Sequence, residues 1–170
     1  SQVQAPDNIR MYVLNPTTHK LDLISDGQVI AAGIDSTMIQ GAVWRIELTL
    51  PRGTTADGSP AWDSLRVKYN MPIYSNLGSF VNRLSGKFDV SSIEYLSTSG
   101  KIVFFAEWAN TDKGIVSEQG RAVATGAYIY KMQLESLFIP NPNADAETAS
   151  KYSSKHSYDK TATFGVKREK

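Results

Sequence analysis

Ile102-Val103-Phe104-Phe105-Ala106-Glu107-Trp108, a polar, glycine-containing segment from Asn110 to Arg121, and then Val123-Ala124-Thr125-Gly126-Ala127-Tyr128-Ile129-Tyr130-Lys131-Met132 form the stretch on which the fold turns. Both apolar runs are rich in aromatic and β-branched residues and neither holds a proline, a composition that fits a pleated, half-buried surface. The pattern predicts two central strands joined by a long loop, with Gly126 at the entry to the second. The first run mixes apolar and charged residues on its outer side, so one face is expected to be only partly covered.

Working outward, the same period of two recurs. In Val43–Leu50, Trp44, Ile46, Leu48 and Leu50 alternate with Val43, Arg45, Glu47 and Thr49, as in a strand with one buried face. In Leu65–Met71, Leu65, Val67, Tyr69 and Met71 alternate with Arg66, Lys68 and Asn70, and Pro72 predicts an edge or a kink. Asn76 and Gly78 mark a tight reversal between two short strands in Ile73–Val81. Ile9–Leu14 reads as a first strand. Lys20–Ile24 and Gln28–Ala32 flank Asp26-Gly27, which predicts a hairpin. Phe88–Leu96 fits a short strand or a helical turn. The segment 144–160 is polar and lacks strong period, with a short helix expected over Asp145–Lys151 and Asn143 as its cap. Thr161–Lys167 is the last strand, with Ala162, Phe164 and Val166 facing in. Nine or ten short strands and no long amphipathic helix predict an all-β, antiparallel β-sandwich.

The totals exclude several classes of function. The 170 residues, 41% of them hydrophobic, can bury one core, and a formal net charge of +1 predicts no broad cationic field, so no nucleic-acid partner is expected. No run approaches the roughly 20 apolar residues of a membrane span, and no charged-then-apolar leader opens the chain, so no signal peptide is expected within it. With no cysteine, thiolate and disulfide chemistry is excluded. His19 and His156 are the only histidines, and neither sits in a catalytic motif.

Ile73-Tyr74-Ser75-Asn76-Leu77-Gly78-x-Phe80-Val81-x-x-Leu84, Trp108-x-Asn110-x-Asp112-x-x-Gly114, Gly120-Arg121-x-Val123-Ala124-x-Gly126-x-Tyr128 and Thr161-x-Thr163-Phe164-x-Val166-Lys167 together resemble the immunoglobulin-like module first described in the flagellar hook-capping protein. Related modules end many long secreted proteins of Gram-negative bacteria, and type IX secretion sorting domains have a similar Gly-x-Tyr strand and a terminal strand ending in lysine. The resemblance covers about Leu65 to the end. It implies a single domain over 1–170, with an immunoglobulin-like core over 65–170 and additional strands from 1–64 packed on it. The chain departs from the family pattern at Ala109 and Asn110, in the extra residues Ile115–Gln119, and in the insertion Asn141–Lys160.

The resemblance implies that Trp108 plugs the space between sheets, that Asn110 and Asp112 cap their loop, that Gly126 permits a sharp strand entry, and that Tyr128 packs inward with its hydroxyl bonded at the rim. It also implies a non-catalytic module of a larger secreted or cell-surface bacterial protein. Its partners would be other domains of that protein, with a structural, docking or secretion-sorting role and secretion or surface-attachment machinery as a further partner. Lys167, Arg168 and Lys170 would be read in sorting, or are simply a solvated end.

Three sharper chemistries stand beside that reading. Glu107 and Asp112 flank Trp108 as a carboxylate pair, against a strand surface charge and a loop cap. Asn141, Asn143, Asp145 and Glu147 space oxygen ligands at every second position and admit calcium, with no other cofactor expected, although the same residues commonly make turns and caps. Trp44, Trp62, Tyr74 and Tyr95 offer an aromatic platform for a polysaccharide, with Asp63 beside Trp62 as a further ligand-binding residue, although Trp44 alternates into the core and Trp62 is otherwise a loop anchor. Carbohydrate binding or adhesion is thus the alternative function.

Overall fold

The computed structural model describes residues 8–14, 21–24, 29–32, 42–49, 61–91, 101–108, 110–111, 114–151 and 155–168. The strands are β1 (Asn8–Leu14), β2 (Leu21–Ile24), β3 (Val29–Ala32), β4 (Ala42–Thr49), β5 (Trp62–Ser75), β6 (Phe80–Ser91), β7 (Lys101–Trp108), β8 (Asn110–Thr111), β9 (Gly114–Ile115), β10 (Gly126–Pro140) and β11 (Lys155–Arg168), with one short helix, α1 (Ala146–Lys151), before the last. They form an all-β sandwich of two sheets. A four-stranded sheet runs β2-β1-β4-β7, a five-stranded sheet runs β3-β11-β10-β5-β6, and β8-β9 is a separate ribbon. Pairing is antiparallel except between β3 and β11, which are parallel.

Alternation builds the core. On β4, Trp44, Ile46 and Leu48 are fully buried, as their period of two requires. On β10, Tyr128, Tyr130, Met132, Leu134, Ser136 and Phe138 point in, and on β11 Ala162, Phe164 and Val166 do so. Phe164 is the meeting point of the two layers. Its ring lies 6.1 Å from Trp44, 6.2 Å from Trp108, 5.9 Å from Tyr128 and 6.4 Å from Tyr130. Edge-on and offset contacts at these separations are favoured by the ring quadrupole beyond the area they bury.

Several local expectations are corrected. The runs flanking Asp26-Gly27 are not a hairpin: β2 pairs with β1 in one sheet and β3 pairs with β11 in the other, so the chain crosses between layers there. The two strands expected in the 102–132 stretch are present, in different sheets, and only the second is central. β7 is an edge of the four-stranded sheet, and β10 lies between β11 and β5. Pro72 does not mark an edge: it lies inside β5, between β10 and β6 and opposite Arg83 of β6, and the ladder from β5 to β10 is interrupted at Met71 and Pro72, the second of which has no N–H to offer. The reversal at Asn76–Gly78 is present, with Gly78 at φ 88°, but it joins strands of 14 and 12 residues rather than short ones. Asp145, not Asn143, caps α1. Finally, β11 begins at Lys155, six residues before the expected start. Its first inward positions, His156, Tyr158 and Lys160, are polar or amphipathic and carry no apolar alternation.

Candidate functional site

The loop after β7 is fastened at one atom. The Trp108 indole Nε1 donates to the Val116 carbonyl at 2.7 Å, and Asn82 Nδ2 donates to the same oxygen at 3.1 Å. Trp108 ends an edge of one sheet and Asn82 lies on β6, an edge of the other, so this carbonyl ties both layers together. The Glu118 amide adds a bond to the Val81 carbonyl at 2.9 Å, and Gly120, at φ 79°, closes the turn back to Ser117. Tyr128 is buried, and its hydroxyl donates to the Ala124 carbonyl at 2.6 Å. Trp108 and Tyr128 thus spend their polar atoms on the chain's own backbone.

Gly126 has ordinary backbone geometry. An added Cβ there would meet only a Tyr128 ring carbon at 4.0 Å, so the strand entry does not demand glycine. The backbone of Asn110 pairs with Ile115 in the β8-β9 ribbon. The capping role expected of the Asn110 and Asp112 side chains lies outside the described residues. Glu107 is exposed on the outer face of the four-stranded sheet.

The aromatic platform does not form around Trp62. That ring is 1% exposed and packs 5.3 Å from Phe138, so neither face can stack on a sugar. Asp63 beside it is exposed. Tyr74 is half-buried, lies edge-on to Phe80 at 6.0 Å, and carries Lys131 Nζ 5.4 Å above its ring. Tyr95 lies outside the described residues.

Two of the four expected calcium ligands, Asn141 and Asp145, turn an oxygen to the backbone. Asn141 Oδ1 accepts the Asn143 amide at 3.0 Å, and Asp145 Oδ1 accepts the Thr148 amide at 2.8 Å as the cap of α1. The bonds from Thr148, backbone first and side chain second, hold the Asp145 carboxyl below its usual range. Glu147 sits in the first turn of the helix. Among the described residues no group of three or more histidine, aspartate or glutamate side chains could hold a metal ion.

A concave surface lies on the outer face of the five-stranded sheet. It is a depression of about 580 Å³ between Lys68 and Asn70 of β5, Arg83 and Ser85 of β6, Gln133 and Glu135 of β10, and Ser157 and Asp159 of β11. The register places these residues in rows across the strands: Ser157, Glu135, Lys68 and Lys87 in one, and Asp159, Gln133, Asn70 and Ser85 in the next. Asn70 Nδ2 donates to Gln133 Oε1 at 2.9 Å, which fixes two amides side by side on the floor. The alternation of β5 already separates Arg66, Lys68 and Asn70 from the core residues. Which strands stand beside it is a long-range fact that no local pattern carries.

No family model matches the chain, and no curated protein does. Among solved structures, the C-terminal domain of Wzt aligns over 99% of this chain and 78% of its own, with 10% identity and a TM-score of 0.46. The CooA pilin subunit from enterotoxigenic Escherichia coli aligns over 93% and 99%, with 8% identity and a TM-score of 0.41. A calcium-binding mutant of Bacteroides uniformis β-glucuronidase 2 aligns over 89% of this chain but 12% of its own, with 9% identity and a TM-score of 0.37. Among the described residues no helix is long and apolar enough to cross a membrane.

Proposed function

We propose that this chain is a non-catalytic immunoglobulin-like module of a larger secreted or cell-surface bacterial protein, and that it docks against a neighbouring domain through the outer face of its four-stranded sheet. The observation that carries the reading is the apolar set exposed on that face: Leu23 at 55%, Val103 at 38% and Phe105 at 45%. The register sets Tyr12 beside Leu23, Arg45 beside Phe105 and Glu47 beside Val103. Arg45 and Glu47 are already paired at 3.0 Å, so covering them leaves neither charge without a partner. Val103 and Phe105 stand together on β7 and Leu23 on the far edge of the same face, and exposed apolar residues on one face suit a protein interface better than open solvent.

The resemblance to the hook-capping module supports the same role, because the residues that carry it, Trp108 and Tyr128, bond within the fold. In the sorting version, β11 lies between β10 and β3 and holds Phe164, so the signal would be read as part of the folded module. What a sorting machine would read is then the basic end, Lys167, Arg168 and Lys170. The alternative role, carbohydrate binding or adhesion, loses Trp62 as its platform, and the outer face of the five-stranded sheet is the surface left for it.

The test is Val103→Asp with Phe105→Asp in the full-length protein. Faster proteolysis at the junction with the neighbouring domain, with the melting of the isolated module unchanged, supports docking. Unchanged cleavage would sink it.

A further inference from the structure

We infer that the outer face of the five-stranded sheet binds an acidic polysaccharide, one that carries uronate carboxylates between neutral hydroxyls. The inference concerns the face opposite the docking surface and does not depend on it.

Charge is the first ground. The whole chain has a formal net charge of +1, yet cations are concentrated here. Over the stretches 66–72, 83–89, 131–137 and 155–161, the outward positions hold Arg66, Lys68, Arg83, Lys87, Lys131 and Lys155 against Asp89, Glu135 and Asp159. Two of the three carboxylates are engaged, Asp89 with Arg66 at 3.6 Å and Glu135 with Lys155 at 3.3 Å. The surplus belongs to the sheet face as a whole, since the depression itself holds Lys68 and Arg83 against Glu135 and Asp159, and a net positive face attracts anions well beyond contact distance.

The second ground is a local conflict. Lys68 stands directly opposite Lys87 in the β5–β6 register, with both side chains exposed. Like charges facing each other across a pair of strands destabilise the sheet. A carboxylate placed between the two ammonium groups turns that repulsion into two attractive contacts. Next to this pair, the Asn70–Gln133 amides, Ser85 and Ser157 supply short neutral donors and acceptors. Amides and hydroxyls of this kind match sugar hydroxyls, which need both a donor and an acceptor.

The third ground separates ligand classes. Glu135 and Asp159 lie inside the depression as acceptors for sugar hydroxyls, which the phosphodiester backbone of DNA does not offer. Among the described residues the depression itself offers bases no stacking surface: the Tyr69 ring turns inward to Phe104, and Tyr74 and Phe80, farther along the same face, carry Lys131 and Arg83 over their rings at 5.4 and 5.6 Å. A chain with carboxylates separated by hydroxyls fits the alternation of cation and amide.

The experiment is affinity electrophoresis of the intact 170-residue chain in gels containing polygalacturonate, alginate, dextran or duplex DNA, at low and at physiological salt. Polygalacturonate or alginate should retard the chain, dextran should not, and DNA should do so more weakly than either. Lys87→Glu should lower acidic-polysaccharide binding at least tenfold while raising the thermal midpoint by about 1–3 °C, because it converts the Lys68–Lys87 repulsion into an attraction. Asn70→Ala with Gln133→Ala should lower binding at least threefold without altering its dependence on salt, since no charge is removed. No retardation by either acidic polysaccharide, DNA binding as tight as theirs, or unchanged binding in Lys87→Glu would each overturn the inference. Val103→Asp with Phe105→Asp should leave polysaccharide binding unchanged, so failure of the docking role and failure of this one are read separately.

Discussion

The indole of Trp108 and the side-chain amide of Asn82 donate to the same carbonyl oxygen, that of Val116, from the edges of opposite sheets. A carbonyl has two lone pairs, and here both are used, so removing either donor alone leaves the acceptor satisfied. Trp108→Phe is therefore expected to cost about 2 kcal/mol, mainly through lost packing against Phe164. Asn82→Ala should cost about 1 kcal/mol. The double variant should lose about 1 kcal/mol beyond the sum, because the buried carbonyl then has neither partner. Urea unfolding of the four proteins measures this coupling, and strict additivity would contradict the shared-acceptor account.

Gly86 makes the second prediction. It lies opposite Tyr69, and a Cβ there would fall 2.6 Å from a Tyr69 ring carbon. That ring is held by Phe104, 5.6 Å away, so it cannot swing aside freely. Gly86→Ala should destabilise the fold by about 1–2 kcal/mol, and most of that cost should vanish in a Tyr69→Leu background. The midpoints of chemical unfolding in the two backgrounds decide it.

Much of this fold is legible in the sequence wherever a strand has one dry and one wet face. Trp44-Ile46-Leu48 and Ala162-Phe164-Val166 announce their burial by period alone. The start of β11 does not, because His156, Tyr158 and Lys160 occupy its inward positions. Lys160 reaches across to donate to the Ile9 carbonyl, a contact 151 residues away in sequence. Partner choice is equally hidden. Asp26-Gly27 favours a turn, but which strands β2 and β3 join is decided by β1 and β11. Trp62 misleads for a related reason: a polar, proline-containing neighbourhood suggests a loop, whereas the ring starts β5 and is covered by Phe138. The depression over β5, β6, β10 and β11 is assembled from four separate segments, so no single window of sequence displays it.

Asp145 gives a prediction in pH. Its folded-state pKa is lowered by the bonds from Thr148. A depressed carboxylate contributes stability that is present above its unfolded pKa, about 3.9, and that is lost as pH falls through the lower folded value. The helix Ala146–Lys151 should therefore fray as pH drops below about 4. Exchange of the Thr148 amide, compared with the same amide in Asp145→Ala, checks this. The two should converge at low pH and differ at neutral pH.

β11 supports a fourth prediction. Phe164 touches Trp44, Trp108, Tyr128 and Tyr130, so Phe164→Ala should cost about 3–5 kcal/mol. Removing residues 161–170 should abolish folding outright, by circular dichroism. Lys167→Gln with Lys170→Gln should leave stability unchanged within about 0.5 kcal/mol, so it is the variant suited to testing a sorting role for the basic end.

The central claim, that the four-stranded sheet faces a neighbouring domain, is tested most directly by hydrogen–deuterium exchange of the isolated chain against the full-length protein. The account predicts slower exchange in the full-length protein for peptides covering β1, β2 and β7, the strands that carry Tyr12, Leu23, Val103 and Phe105, with peptides from β6 unchanged. Equal exchange across β7 in the two proteins, or protection confined to β6, would contradict it.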